Sequence, residues 1–228
     1  MKSLLAFICL YALPVSANVE TTLSLTSDYI LHGISQTNNQ AALQLGIEKS
    51  SNSGAYIGVW ASNVDFAEQT KIEVNYYLGK QWPINNSTSI DIGATQVQYL
   101  NQDLKKLTHH SEVYISLIYN NNSQYKLVCS NDFEGFNPVG GIKGKHCMAL
   151  FSYQFFPVEN SFNVEFEADY SRSFDQQNID NQYYLHSGVY FSKFYGCCQY
   201  VMSVESTWLN KSIKNSSSHF AFKVNYQF

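Results

Sequence analysis

Apolar and polar residues alternate one by one along most of this chain. In the final stretch, Phe220, Phe222, Val224, Tyr226 and Phe228 alternate with His219, Ala221, Lys223, Asn225 and Gln227. A period of two gives a β-strand one apolar and one polar face. The rhythm recurs throughout, and nothing after the first seventeen residues keeps a helical period. It predicts about twelve strands. They lie near Val19–Leu31, Ala41–Lys49, Ala55–Asn63, Thr70–Gln81, Ser87–Leu100 and Thr108–Asn120. The remainder lie near Ser123–Asn131, Lys145–Phe156, Ser161–Ser171, Asn181–Phe191, Gly196–Leu209 and Ser217–Phe228. At ~3.4 Å per residue and a tilt of roughly 45°, about ten residues cover about 24 Å, close to the apolar thickness of an outer membrane.

The connections alternate in length. Ser50–Gly54, Trp82–Asn86, Asn121-Asn122, Pro157–Asn160 and Ser192–Tyr195 are short, whereas Phe133–Gly144 and Arg172–Asp180 are long. Short turns at one end and long loops at the other predict an all-β fold: a transmembrane, antiparallel up-and-down β-barrel of about twelve strands. An even strand number places both termini at the short-turn end. The apolar rows agree, among them Leu43-Leu45-Ile47, Ile72-Val74-Tyr76-Leu78, Val113-Ile115-Leu117-Tyr119 and Tyr200-Met202-Val204. No charge interrupts them, and a charge facing lipid at mid-depth costs ~2–4 kcal/mol. Ser87–Leu100 changes phase near Thr95-Gln96, which predicts a bulge, and Lys145–Phe156 is apolar on both faces. The runner-up is a secreted soluble β-barrel or sandwich holding an apolar ligand, in which the same rows would form a core.

Composition favours the membrane reading. Aromatic residues reach 15% while charged residues stand at 14%, an excess of rings suited to two membrane interfaces. Trp60, Trp82 and Trp208 fall near strand ends, as girdle residues would. Met1–Ala17 reads as a signal peptide: Lys2, an apolar run from Leu4 to Leu13, and Val15-Ser16-Ala17 for cleavage. Residues 18–228 then form the barrel, exported to a bacterial outer membrane. The formal net charge of −4 gives no basic footprint for nucleic acid.

The chemistry-bearing residues are few. Cys129 and Cys147 flank the longest loop, and a disulfide between them suits an oxidising compartment. Adjacent Cys197 and Cys198 would point to opposite faces of a strand and share no ion. His109-His110-Ser111-Glu112 lacks a nucleophile elbow or oxyanion motif, so no enzyme is expected. No metal-ligand spacing and no cofactor motif stand out. By parity, the inward rows carry Glu20, Asp28, Glu48, Glu73, Asp91, Glu112, Glu165, Glu167, Asp169 and Glu205, against Lys71, Lys126 and Lys223. Glu165, Glu167 and Asp169 share one strand face at ~6.7 Å spacing, within a screening length of ~8 Å. This predicts a narrow passage preferring small cationic or polar solutes, tightened by Tyr77, Tyr114, Tyr184 and Tyr190. His186 on the next strand, or Lys223 beside Glu205, would neutralise part of that row. The same acids also suit a merely solvated interior, or a non-conducting structural or enzymatic barrel.

The stretch Thr26-Ser27-Asp28-Tyr29-Ile30-Leu31-His32-Gly33-Ile34-Ser35-Gln36-Thr37 resembles the opening motif of the TorF-type outer-membrane porin family. Gly58-Val59-Trp60-Ala61-Ser62-Asn63-Val64-Asp65-Phe66 and Ile72-Glu73-Val74-Asn75-Tyr76-Tyr77-Leu78-Gly79 resemble it too, with a weaker echo at Asp91-Ile92-Gly93-Ala94. The resemblance implies a barrel with an outer-membrane address and no catalytic residue. That family commonly carries Arg where His32 stands. Here Gly33 is free to take a positive φ, while Asp28 and His32 share the polar parity and would face the lumen or mouth. Expected partners are outer-membrane lipid, small solutes, and the barrel-assembly machinery, which would read Val224, Tyr226 and the terminal Phe228. Deleting Phe228 is therefore expected to lower the yield of assembled barrel far more than Gln227→Ala does. Heat-dependent gel mobility of membrane fractions measures this, and equal yields would reduce the last strand to ordinary packing.

Overall fold

The computed structural model describes residues 17–65, 71–100, 109–133, 144–155, 162–174, 183–209 and 217–228. Twelve strands close into one antiparallel barrel. They are β1 (Ala17–Thr26), β4 (Ala42–Ser51), β5 (Ala55–Asn63), β6 (Ile72–Asn85), β7 (Thr88–Leu100) and β8 (His110–Tyr119). The circuit continues through β9 (Ser123–Phe133), β10 (Gly144–Gln154), β11 (Phe162–Phe174), β12 (Tyr183–Tyr195), β13 (Cys198–Leu209) and β14 (Ser217–Gln227). Each strand pairs with its neighbours in sequence, and β1 pairs with both β4 and β14 to close the ring. Two short strands, β2 (Ile30–Leu31) and β3 (Ile34–Ser35), form a separate hairpin. Ala17, the expected last residue of the signal, opens β1; the rest of that segment lies outside the described residues.

Alternation builds the wall as expected. Leu25, Leu43, Ile57, Leu78, Val113, Leu127, Met202 and Phe220 are all exposed on the outside, between 46% and 61% of their full area. In water such a belt would be a severe liability; against lipid it is the required surface. Lys49, Lys80, Lys145, Arg172 and Lys193 share the outward parity of their strands. All are basic and lie toward the rims, where long stems let the cation reach headgroups. Trp82 and Trp208 are exposed near opposite rims, with the Lys80 ammonium 5.2 Å from the Trp82 ring centre.

Several details differ from expectation. The first strand leaves the wall at Thr26 rather than Leu31, because Ser27 and Asp28 turn the chain inward. Trp82–Asn86 and Ser192–Tyr195 mostly continue their strands; the turns fall at Asn86-Ser87 and Gly196-Cys197. Asn120 and Asn121 both take positive φ in the β8–β9 turn, close to the position predicted. Pro157–Asn160 and most of the two longest loops lie outside the described residues. No bulge occurs at Thr95-Gln96, where β7 keeps its register with β6 and β8. The phase change has another cause: inward Tyr99 is apolar because it packs against interior cluster residues Tyr29, Ala42 and Val64. Trp60 joins that packing and points inward, so it belongs to no girdle. The apolar inner face of β10 is likewise used, since Met148 is buried and its sulfur accepts from Tyr184 Oη at 3.6 Å.

Cys129 and Cys147 are direct cross-strand partners on β9 and β10, with Cα atoms 4.2 Å apart and sulfurs 2.07 Å apart. Cys197 and Cys198 carry free thiols at the opposite rim. Thiol titration of the chain expressed without residues 1–17, denatured without reductant, should count only these last two. Four reactive thiols would show that the bridge does not form in the cell.

Candidate functional site

The segment between β1 and β4 folds into the barrel. Ile30 pairs with Ser35 and Leu31 with Ile34, leaving His32 and Gly33 as a two-residue turn. Both have positive φ, 49° and 71°, as a type I′ hairpin turn requires. A side chain at Gly33 would overlap Thr207 Oγ1 and come within 2.9 Å of His186, so the turn seats only because that residue has no Cβ. Asp28 supports the base of the hairpin. Its Oδ1 accepts from Ser35 Oγ at 2.6 Å and Thr37 Oγ1 at 2.8 Å, and its Oδ2 lies 3.8 Å from His219. Tyr29 rests edge-on against Trp60, their ring centres 5.4 Å apart.

The hairpin tip is tied to the far wall. Thr207 Oγ1 donates to the His32 carbonyl at 2.8 Å, and His32 Nδ1 lies 2.9 Å from Asp169 Oδ2. On the neighbouring strand, His186 sits opposite Asp169 in register, its Nδ1 2.7 Å from the same oxygen. Glu167 Oε1 is 3.8 Å from that imidazole nitrogen, and Glu205 Oε2 is 3.4 Å from the other. Asp169 and His186 have no side-chain exposure. The predicted row of three acids is therefore divided. Asp169 is committed to two imidazoles, while Glu165 and Glu167 line an open cavity.

That cavity has a volume of about 490 Å³. The hairpin roofs it, and Gln199 and Asn225 line it close to the short-turn rim. Glu165, Glu167 and Glu205 face it together with Lys223 and Tyr190. Lys223 pairs in register with Val201, and Glu205 with His219, so the suggested neutralisation of Glu205 by Lys223 is not the arrangement found. Lys71 is also misplaced by parity alone: it pairs with Asp65 at the mouth, outside the lumen.

The other inward acids sit apart from this cluster. Glu73 is buried and accepts from Asn75 Nδ2 at 2.8 Å. Glu112 lies 3.3 Å from His110 Nε2. Asp91 accepts from Tyr56 Oη, and Glu48 from Tyr77 Oη at 3.2 Å. Tyr77 and Tyr114 lie across Gly58 and Gly93 on adjacent strands, where a Cβ would overlap either ring. In the His109–Glu112 run, Ser111 Oγ donates to Gln96 at 2.7 Å while His110 is buried on the other face, so Ser111 and the His110 imidazole are not brought together. At the closing seam, Phe228 N donates to the Thr21 carbonyl at 3.0 Å and Val224 pairs with Leu25. The rings of Tyr226 and Phe228 are 4.5 Å apart.

A closed, lipid-faced barrel with a polar interior and a loop folded into it defines a porin-like architecture. Solved structures agree in fold. The KdgM porin superposes with a TM-score of 0.53 at 11% identity, covering 93% of this chain and 99% of its own. The NanC porin gives 0.58 at 5% identity, covering 92% and 99%. Residues 12–145 match the family described as a bacterial protein of unknown function (Gcw_chp), and the chain belongs to that family. No curated protein sequence matches it.

The hairpin contacts generate a prediction. Gly33→Ala should unseat the tip, at a cost of ~1–3 kcal/mol for a strained backbone position, while the barrel still assembles. With Trp82 and Trp208 replaced by Phe, Trp60 emission reports the event by shifting to the red as Tyr29 leaves its ring. An unchanged spectrum would mean that the hairpin is not held in this way.

Proposed function

We propose that the chain is a non-enzymatic outer-membrane porin of narrow bore, of the TorF type, which favours small cations and polar solutes. The Thr26–Thr37 and Gly58–Gly79 motifs, which carry the resemblance to that type, fall within residues 12–145, the span of the family match. The observation that carries the reading is the cavity under the hairpin, where Glu165, Glu167 and Glu205 share the lining with one lysine, Lys223, among the described residues. Low-dielectric walls focus the field of such carboxylates and raise the local concentration of cations. Bore is limited in two ways. A twelve-stranded cylinder lies between the filled eight-stranded barrels and the wide sixteen-stranded channels, and the hairpin occupies part of its section. KdgM has been captured with oligogalacturonate, a polyanion. An acid-lined cavity would repel that class of solute, so likeness of fold does not carry over likeness of cargo. In this reading the short turns and both termini face the periplasm, and the hairpin is the first outer loop.

Purified, refolded protein in a planar bilayer tests the proposal. Reversal potentials under a KCl gradient should show cation preference, reduced when Glu165 and Glu167 are both replaced by Gln. Asp169→Asn should alter selectivity less, since its carboxylate is buried against His32 and His186. Anion preference, or selectivity indifferent to Glu165 and Glu167, would reject this lining as the filter. Absence of any current would favour a plugged structural barrel.

A further inference from the structure

Four side chains meet beneath the hairpin from three separate pieces of chain: His32 from the turn, Glu167 and Asp169 from β11, and His186 from β12. One donor atom from each lies within 4.8 Å of all the others. Donors held ~2.0–2.2 Å from a common ion stand roughly 3–4 Å apart, so the group needs little movement to become a coordination shell. Two imidazoles and two carboxylates suit zinc and its first-row neighbours; calcium and magnesium prefer shells made of oxygen alone. Neutral imidazoles, two carboxylates and a divalent cation also sum to zero charge, which matters where Asp169 and His186 are closed off from solvent.

Two further observations point to an ion. Asp169 Oδ1 is buried without a hydrogen-bond partner, on a side chain with no exposure. Leaving such an oxygen unpaired costs ~1–3 kcal/mol or more for a charged group, and a cation would remove the cost. His186 turns Nδ1 toward Asp169 and Glu167 and Nε2 toward Glu205. Metal-bound imidazoles commonly direct the second nitrogen at a carboxylate outside the shell; here Glu205 Oε2 stands 3.4 Å from Nε2, an ion-pair contact without a hydrogen bond.

We propose that His32, Glu167, Asp169 and His186 bind one divalent first-row transition-metal ion, with Glu205 positioning His186, and that the ion fastens the hairpin to the barrel wall. Without the ion, the two imidazoles converge on Asp169 Oδ2 as hydrogen-bonding partners. Binding replaces those contacts: each imidazole turns the lone pair of its Nδ1 to the ion and keeps its one proton on Nε2. Glu167 also lines the cavity, but the binding test does not rest on conduction, because a barrel that passes no current still offers the four donors.

The test uses the full-length barrel, refolded in detergent, stripped with EDTA and titrated with Co²⁺ alone. The expected result is one ion per chain, the intense visible absorption of a four-coordinate site, and displacement by Zn²⁺. His32→Ala should abolish this binding while the heat-dependent gel shift of the folded barrel persists. Glu205→Gln, outside the shell, should weaken it by roughly 10–100-fold. His109→Ala, remote from the cluster, should leave it unaltered. If His186→Gln fails to assemble, His32→Ala still decides, since His32 lies off the barrel wall. No saturable binding, or binding that survives His32→Ala, overturns the proposal and leaves the cluster as a hydrogen-bonded tether.

Discussion

The structure depends on a constraint on the backbone. In hydrocarbon there is no water to receive a peptide N–H or C=O, so each spanning strand must pair on both edges. β1 meets this demand by pairing with β4 over its whole length and with β14 over Thr22–Thr26. Once the ring is closed, the pleat commits alternate side chains to lipid and to lumen. Leu23 and Leu25 face out while Ser24 and Thr26 face in, and no side chain can change sides without a register slip. The concentration of acids inside follows from the same rule, because a carboxylate excluded from the lipid face has only the lumen or the rims.

Having been forced inward, these polar groups must find partners. The interior answers locally: tyrosine hydroxyls reach Asp91 and Glu48, and imidazoles reach Glu112 and Asp169. Where rings need room, glycines on the adjacent strand provide it, as Gly58 does for Tyr77. The hairpin is the largest instance. It fills lumen that twelve strands would otherwise leave to water, and it brings its own donors, among them Ser35 and Thr37 for Asp28.

Strand number, facing and the cysteine pair were legible because a period of two is read without knowing what lies across the barrel. The hairpin was not. Ile30 and Leu31 prolong the alternation of β1, and only the positive φ at His32 and Gly33 reveals that the chain has turned inward. Gly33 was the one available signal. Trp60 was misread because parity says which face a residue takes but not whether another piece of chain covers it. The Asp169 cluster was hidden for a similar reason: β11 shows three acids in a row, yet their fates diverge because the hairpin tip lands on one of them. His186 was placed on the correct neighbouring strand, but register was needed to set it directly opposite Asp169.

The hairpin joins residues far apart in the chain. His32 meets Asp169 across 137 positions, Thr207 across 175, and the Gly33 carbonyl accepts from Ser217 across 184. None of these partners exists for it until the last third of the polypeptide has been added to the wall. Contacts of such sequence separation form late, since the loops they close must be ordered first. The hairpin thus behaves as a completion sensor: a barrel short of its final strands has no seat for it, and a seated tip marks a cylinder that is whole.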